Sequence, residues 1–183
     1  MGSKWVFHIK YFPDGFIERF KARIVAKGYT QVSGLDYTDT FSPVVKATTV
    51  RVVLSIVVTN KWPLRQLDVK NDFLNGTLIE HVHMEQPSGY IDPRFATHVC
   101  LVKKALYGLK QAPRAWFQCF SSFLLTFGFY CSRVVTSLFV FHQQSNLIYL
   151  LLYVDDIIVT GNNSSLIDSF THKLHSLGYA SFA

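Results

Sequence analysis

Leu147-Ile-Tyr-Leu-Leu-Leu-Tyr-Val-Asp-Asp-Ile-Ile-Val-Thr160 sets two adjacent carboxylates, Asp155 and Asp156, inside an otherwise apolar run. Burying one unpaired carboxylate is expensive, and two side by side repel each other. Two readings meet that cost. Tyr153-Val154-Asp155-Asp156 is either the polar turn of a β-hairpin, where Asp is common, or a cation site, since hard carboxylate oxygens suit magnesium. Both readings make the run two antiparallel strands, Leu147–Val154 and Ile157–Thr160, with acid at their tip.

The chain around this hairpin has 183 residues, enough for one domain or a domain with a small appendage. Hydrophobic residues make up 49% and aromatics 15%, which supports a packed core and argues against disorder. The net charge of +6 is concentrated early: residues 1–70 hold eleven Lys/Arg against five Asp/Glu, and the remainder seven of each. That balance suits an anionic partner, nucleic acid or nucleotide, unless it is simply a solvated basic surface. Cys100, Cys119 and Cys131 show neither CxxC nor Cys/His spacing and read as reduced core or near-core thiols of an intracellular protein. No secretory leader is evident at Met1, and neither Val50–Val58 nor the interrupted Leu147–Thr160 run suits a membrane span.

Trp5–Phe12 and Phe16–Ala26 flank Pro13-Asp14-Gly15 and read as a hairpin. Period two places Lys21, Arg23, Val25 and Lys27 on one face, with Phe20, Ala22, Ile24 and Ala26 on a core face. Val45–Asn60 reads as a helix capped by Thr48 or Thr49 and stopped at Trp62-Pro63. Arg65–Val69 is a short strand, Lys70–Leu74 a turn, Glu80–Thr97 a loop-rich stretch and Val99–Val102 a strand. A helix opens near Ala112-Pro113 and stops at Gly128; its Trp116, Phe120, Phe123 and Phe127 form one core stripe. Leu138–Phe141 is a further strand, and Ser164 or Ser165 caps a last helix with Leu166, Phe170, Leu174 and Leu177 on one face. Strands joined by hairpins and mixed with helices predict an α+β layered sheet.

Asp68 also stands at a strand end, 87 positions before Asp155. If the two strands are neighbours, the carboxylates converge at one sheet edge, where two cations about 4 Å apart support phosphoryl transfer. The seven histidines are scattered, His81 and His83 excepted, and there is no nucleophile elbow or Walker-type loop.

Eight ordered segments then make the chain resemble the reverse transcriptase of copia-type retrotransposons. They are Lys4-Trp-Val-Phe, Lys21-Ala-Arg-Ile-Val-Ala-Lys-Gly28, Thr40-Phe-Ser-Pro-Val-Val45, Gln66-Leu-Asp-Val-Lys-Asn71, Phe73-Leu-Asn-Gly76, Met84-Glu-Gln-Pro87, Leu106-Tyr-Gly-Leu-Lys-Gln-Ala-Pro-Arg-Ala-Trp116 and Tyr153-Val-Asp-Asp156. The resemblance implies the fingers and palm of a right-hand polymerase, with an antiparallel palm sheet packed on helices and the thumb absent. Fingers-like parts would be 1–64 and parts of 76–112; palm-like parts would be 65–75 and 113–183. It implies RNA-directed DNA polymerase activity, with Asp68, Asp155 and Asp156 as catalytic residues holding two Mg2+ ions, for which Mn2+ can substitute. Nucleotide contacts would come from Lys21, Arg23, Lys27, Val69, Phe73, Gly108, Lys110 and Gln111; Phe73 matches the aromatic residue that crowds a ribose 2′-hydroxyl. Partners would be an RNA or DNA template-primer and deoxynucleoside triphosphates.

Asp72 departs from the pattern, which has a small residue there, and Val135 replaces an Asp. The pattern also begins before Met1 and continues differently after Ser176, which implies a truncated copy whose thumb and ribonuclease H regions come from missing domains or a partner chain. The alternative is a catalytically dead relic that binds nucleic acid without specificity; a two-metal nuclease is a third reading.

Overall fold

The computed structural model describes residues 1–69, 72–154, 156–177, 179 and 181–182, and of Asp72, Ser181 and Phe182 the backbone only. Strands β1 (Ser3–Tyr11) and β2 (Ile17–Ala26) form an antiparallel hairpin in which His8 faces Lys21 and Val6 faces Arg23. Helix α1 (Ala47–Asn60) leads into β3 (Leu64–Asp68), and β4 (Thr77–Glu85) pairs with β5 (Val99–Lys104) as a second two-stranded sheet. Helix α2 (Ala112–Phe127) is followed by β6 (Tyr130–Cys131), β7 (Leu138–Gln143), β8 (Asn146–Tyr153), β9 (Asp156–Gly161), helix α3 (Ser164–Ser176) and β10 (Ser181–Phe182). The main sheet has the order β10-β3-β9-β8-β7-β6, all neighbours antiparallel. The molecule is therefore α+β, as the mixture of hairpins and helices predicts.

Alternation along β8 and β9 decides how the layers stack. Ile148, Leu150, Leu152, Ile157 and Val159 point to one face and pack with Trp116, Phe120 and Leu124 of α2 and with Ile167, Phe170 and Leu174 of α3. Tyr149, Leu151 and Ile158 point to the other and meet Val45, Val53 and Val57. Full burial of each large apolar side chain contributes roughly 1.5–3 kcal/mol. α2 also joins the main sheet to the two smaller ones: its Ala112 and Ala115 belong to a separate cluster with Ala26, Leu78, Val82, Met84 and Val102.

Several local expectations are corrected. Phe20 is 76% exposed and Phe7 is 74% exposed, so the outer part of the β1–β2 hairpin reaches past the body and its apolar face there is not core. Thr77–Glu85 is a strand where the sequence reads as loop from Glu80 onward. Asn163, not Ser164 or Ser165, caps α3 by accepting from the Leu166 amide, and α1 begins after Lys46 without a side-chain cap. Leu177 lies beyond α3 and is exposed. The three cysteines are free thiols and half-buried. Among the described residues, no helix is long and apolar enough to cross a membrane.

Candidate functional site

β3 lies beside β9 in a register that sets Asp68 directly opposite Asp156. Opposed residues of an antiparallel pair share a face, with Cβ atoms about 4.5–5.5 Å apart. Leu67 and Ile157, one step away on each strand, are buried on the helical side, so both carboxylates emerge on the side that carries Ile158 and Tyr153. Asp68 is exposed and Asp156 half-buried. Gln66, two residues before Asp68 and hence on its face, donates from Nε2 to Asp156 Oδ1 at 3.2 Å. Asp155 lies outside the described residues, as does the side chain of Asp72. Among the described residues no group of three or more His, Cys, Asp or Glu is arranged to hold a metal ion. Two opposed carboxylates at a solvent-facing sheet edge nevertheless fit a hard divalent cation, which removes their mutual repulsion.

The hairpin that carries Asp156 turns tightly. Tyr153 pairs with Asp156, and Val154 between them has φ 54°. Primed two-residue turns need this left-handed backbone, but a β-branched residue adopts it at a cost of about 1–2 kcal/mol. Trp116, 1% exposed in the core, donates from Nε1 to the Val154 carbonyl oxygen at 3.1 Å. Beside Tyr153 opens a cleft of about 500 Å3 lined by Val44, Val45, Ala47, Val50 and Arg51.

The basic face of the β1–β2 hairpin reaches this edge through Lys21. Its ammonium is held below the ordinary lysine value, first by partial burial and then by Arg23, Lys10 and Arg19, while the Asp68 carboxylate pulls the other way. Arg23 lies over the Tyr107 ring, 5.5 Å from its centroid, and its Nε is buried without a hydrogen-bond partner. Tyr107 in turn meets the half-buried Phe73 edge-on at 5.2 Å. Lys21, Arg23, Tyr107 and Phe73 thus form a connected wall. Lys27 stands apart from Lys21: six residues on, or about 20 Å of extended strand, its amide donates to Gly2 O at 2.9 Å.

The other residues expected to meet a nucleotide are placed differently. The Val69 side chain is buried in the main core, 4% exposed, so only its backbone can face the site. Gln111 is fully buried: its Oε1 accepts from Gln31 Nε2 at 3.0 Å and its Nε2 donates to Asp36 O at 3.0 Å. Lys110 donates from its amide to Gln31 Oε1 at 2.9 Å and from Nζ to Gln31 O and Tyr37 Oη at 3.3 Å. These two side chains therefore anchor the 28–37 segment. Gly108 makes that docking sterically feasible. Its φ is +91°, and a Cβ there would lie 2.2 Å from Ala26 O. Gly108→Ala combines a left-handed alanine with a backbone clash, so we expect a loss of about 3 kcal/mol of stability, read by urea denaturation.

Gln66, Tyr107 and the Trp116 indole are not among the site residues expected from the sequence. Period two along β3 is the signal that points to Gln66. No sequence signal points to the contacts of Tyr107 and Trp116, which depend on tertiary approach.

The reverse transcriptase (RNA-dependent DNA polymerase) family model matches residues 1–179. The chain belongs to that family, in its copia-type branch. It is 53% identical over 174 residues, 95% of its length, to the retrovirus-related Pol polyprotein from transposon RE1 of Arabidopsis thaliana. It is 52% identical over 177 residues, 97% of its length, to that from transposon RE2 of the same plant. Identity to the corresponding polyprotein of transposon TNT 1-94 of Nicotiana tabacum is 43% over 167 residues, 90% of the chain. The matched region makes up 12% of each of these relatives. No solved structure gives a significant match.

Proposed function

We propose that the chain is the fingers-and-palm part of an RNA-directed DNA polymerase, extending a primer 3′-hydroxyl with deoxynucleoside triphosphates on an RNA or DNA template. The observation that carries this reading is the Asp68–Asp156 register, which unites residues 88 positions apart at the edge bearing the acidic hairpin. The palm-like part is 65–75 with 113–183, and the fingers-like part is 1–64 with parts of 76–112. Asp68, Asp155 and Asp156 would hold two Mg2+ ions, or Mn2+ in their place. Bound there, the ions would supply activation of the primer hydroxyl and charge stabilisation for the leaving pyrophosphate.

The remaining work falls to the protein's own groups. Lys21 and Arg23 present charge to the triphosphate, Arg as a planar fork suited to phosphate oxygens. Phe73, backed by Tyr107, would crowd a 2′-hydroxyl, as its match to the family's aromatic residue implies. The cleft beside Tyr153 offers apolar walls and the Arg51 guanidinium to the primer strand. Lys27, Val69, Gly108, Lys110 and Gln111 contribute through backbone and through the docked 28–37 segment. A thumb and ribonuclease H region would come from other parts of a polyprotein or from a partner chain.

Asp72 is the residue most at odds with this chemistry. Two like charges about 5 Å apart cost roughly 3 kcal/mol at an effective dielectric near 20. Asp72→Ala is therefore expected to raise primer extension by up to about a hundredfold at limiting nucleotide; equal rates would remove Asp72 from the account of the site.

The experiment offers the purified chain a primed RNA template, deoxynucleotides and magnesium, beside an Asp155→Asn control. Extension that the control loses supports the polymerase. Binding without extension marks a catalytically dead relic, and primer shortening marks a nuclease.

A further inference from the structure

From the hydrogen bond between Trp116 Nε1 and Val154 O, we infer that Trp116 is a positioning residue for the metal-binding hairpin, a role that rests on the polymerase reading above. Two independent observations meet at this point. Val154 is a β-branched residue held at φ 54°, a conformation that persists only where the surroundings over-determine it. The indole of a fully buried tryptophan supplies that restraint, donating to the Val154 carbonyl at 3.1 Å.

The indole is itself immobilised. It stacks on Phe120 with centroids 5.0 Å apart and meets Tyr179 at 5.9 Å, deep in the cluster between α2 and the main sheet. Tyr153 and Asp156 are cross-strand partners on either side of the restrained turn. A shift of the Val154 carbonyl therefore moves the carboxylate end of β9 relative to Asp68. The apolar stripe of α2 thus does more than fill the core: one polar edge of it fixes the Val154 carbonyl between Tyr153 and Asp156.

The test replaces Trp116 with phenylalanine, and in parallel with benzothienylalanine, which keeps the bicyclic shape and lacks the N–H donor. Amide hydrogen exchange over residues 152–158 and Mn2+ binding by electron paramagnetic resonance are compared in the full chain. Loss of one hydrogen bond is expected to speed exchange about fivefold and to weaken Mn2+ binding by a similar factor, with the far-UV circular dichroism unchanged. Adding Val154→Gly, which reaches the same φ without strain, should restore most of the Mn2+ affinity; a purely packing role for Trp116 would not be rescued this way. Unchanged exchange in the benzothienylalanine protein overturns the inference. So does faster exchange with unaltered Mn2+ affinity, or failure of the glycine rescue. A parent chain that binds no Mn2+ overturns the polymerase reading itself, and this role with it.

Discussion

Arg114→Leu is expected to destabilise the fold by about 3–5 kcal/mol. Arg114 on α2 pairs with Glu80 on β4, and their side chains are only 7% and 10% exposed. Glu80 Oε2 and Arg114 Nε are buried without other hydrogen-bond partners, so each charge depends on the other for compensation. Removing the guanidinium strands a carboxylate in the cluster that joins α2 to the β4–β5 sheet. For a chain of this size the loss corresponds to a fall in Tm of roughly 10 °C, measured by thermal denaturation. The double variant Arg114→Leu/Glu80→Leu should recover most of it, because replacing both partners by apolar groups is nearly neutral. A single variant as stable as the parent would show that the pair does not hold α2 to the β4–β5 sheet.

Asp68→Asn is expected to lower primer extension by at least about a hundredfold to a thousandfold, the scale for losing one well-placed charge-stabilising group. The strand pairing survives, since β3 keeps its backbone ladder to β9 and Asn is nearly isosteric. The substitution also removes the charge that favours the protonated form of Lys21. Lys21 should then titrate at lower pH than in the parent, as carbon-13 NMR of the labelled side chain would report. Retained extension with a normal rate would detach Asp68 from the chemistry.

The elements that generate the site were legible because their signals are local. Period two exposes the β8–β9 hairpin and the Lys21/Arg23 face, and the helical i, i+4, i+7, i+11 spacing of Trp116, Phe120, Phe123 and Phe127 exposes α2. The elements that failed depend on distant partners. β4 reads as loop because Glu80, His81, His83 and Glu85 look solvated, yet Leu78, Val82 and Met84 keep the alternation and are buried. Glu80 fits that inward face because Arg114, 34 positions on, neutralises it.

Phe20 reads as core for the converse reason. Alternation shows which residues share a face but not how far the rest of the body extends beneath it. Gln111 and Lys110 carry the same lesson in the site. The resemblance implies nucleotide contacts for both, and the hydrogen bonds that hold their side chains on Gln31, Asp36 and Tyr37 are visible only in the structure. Those contacts span 73 to 80 positions and no spacing rule announces them.

The proposal that Asp68, Asp155 and Asp156 hold divalent ions is tested most directly by titrating the chain with Mn2+ and counting bound ions by electron paramagnetic resonance. Two saturable sites, weakened in both Asp68→Asn and Asp155→Asn, are the expected result. Uptake in the Asp68→Asn/Asp155→Asn double variant equal to that of the parent would contradict a metal centre at this sheet edge.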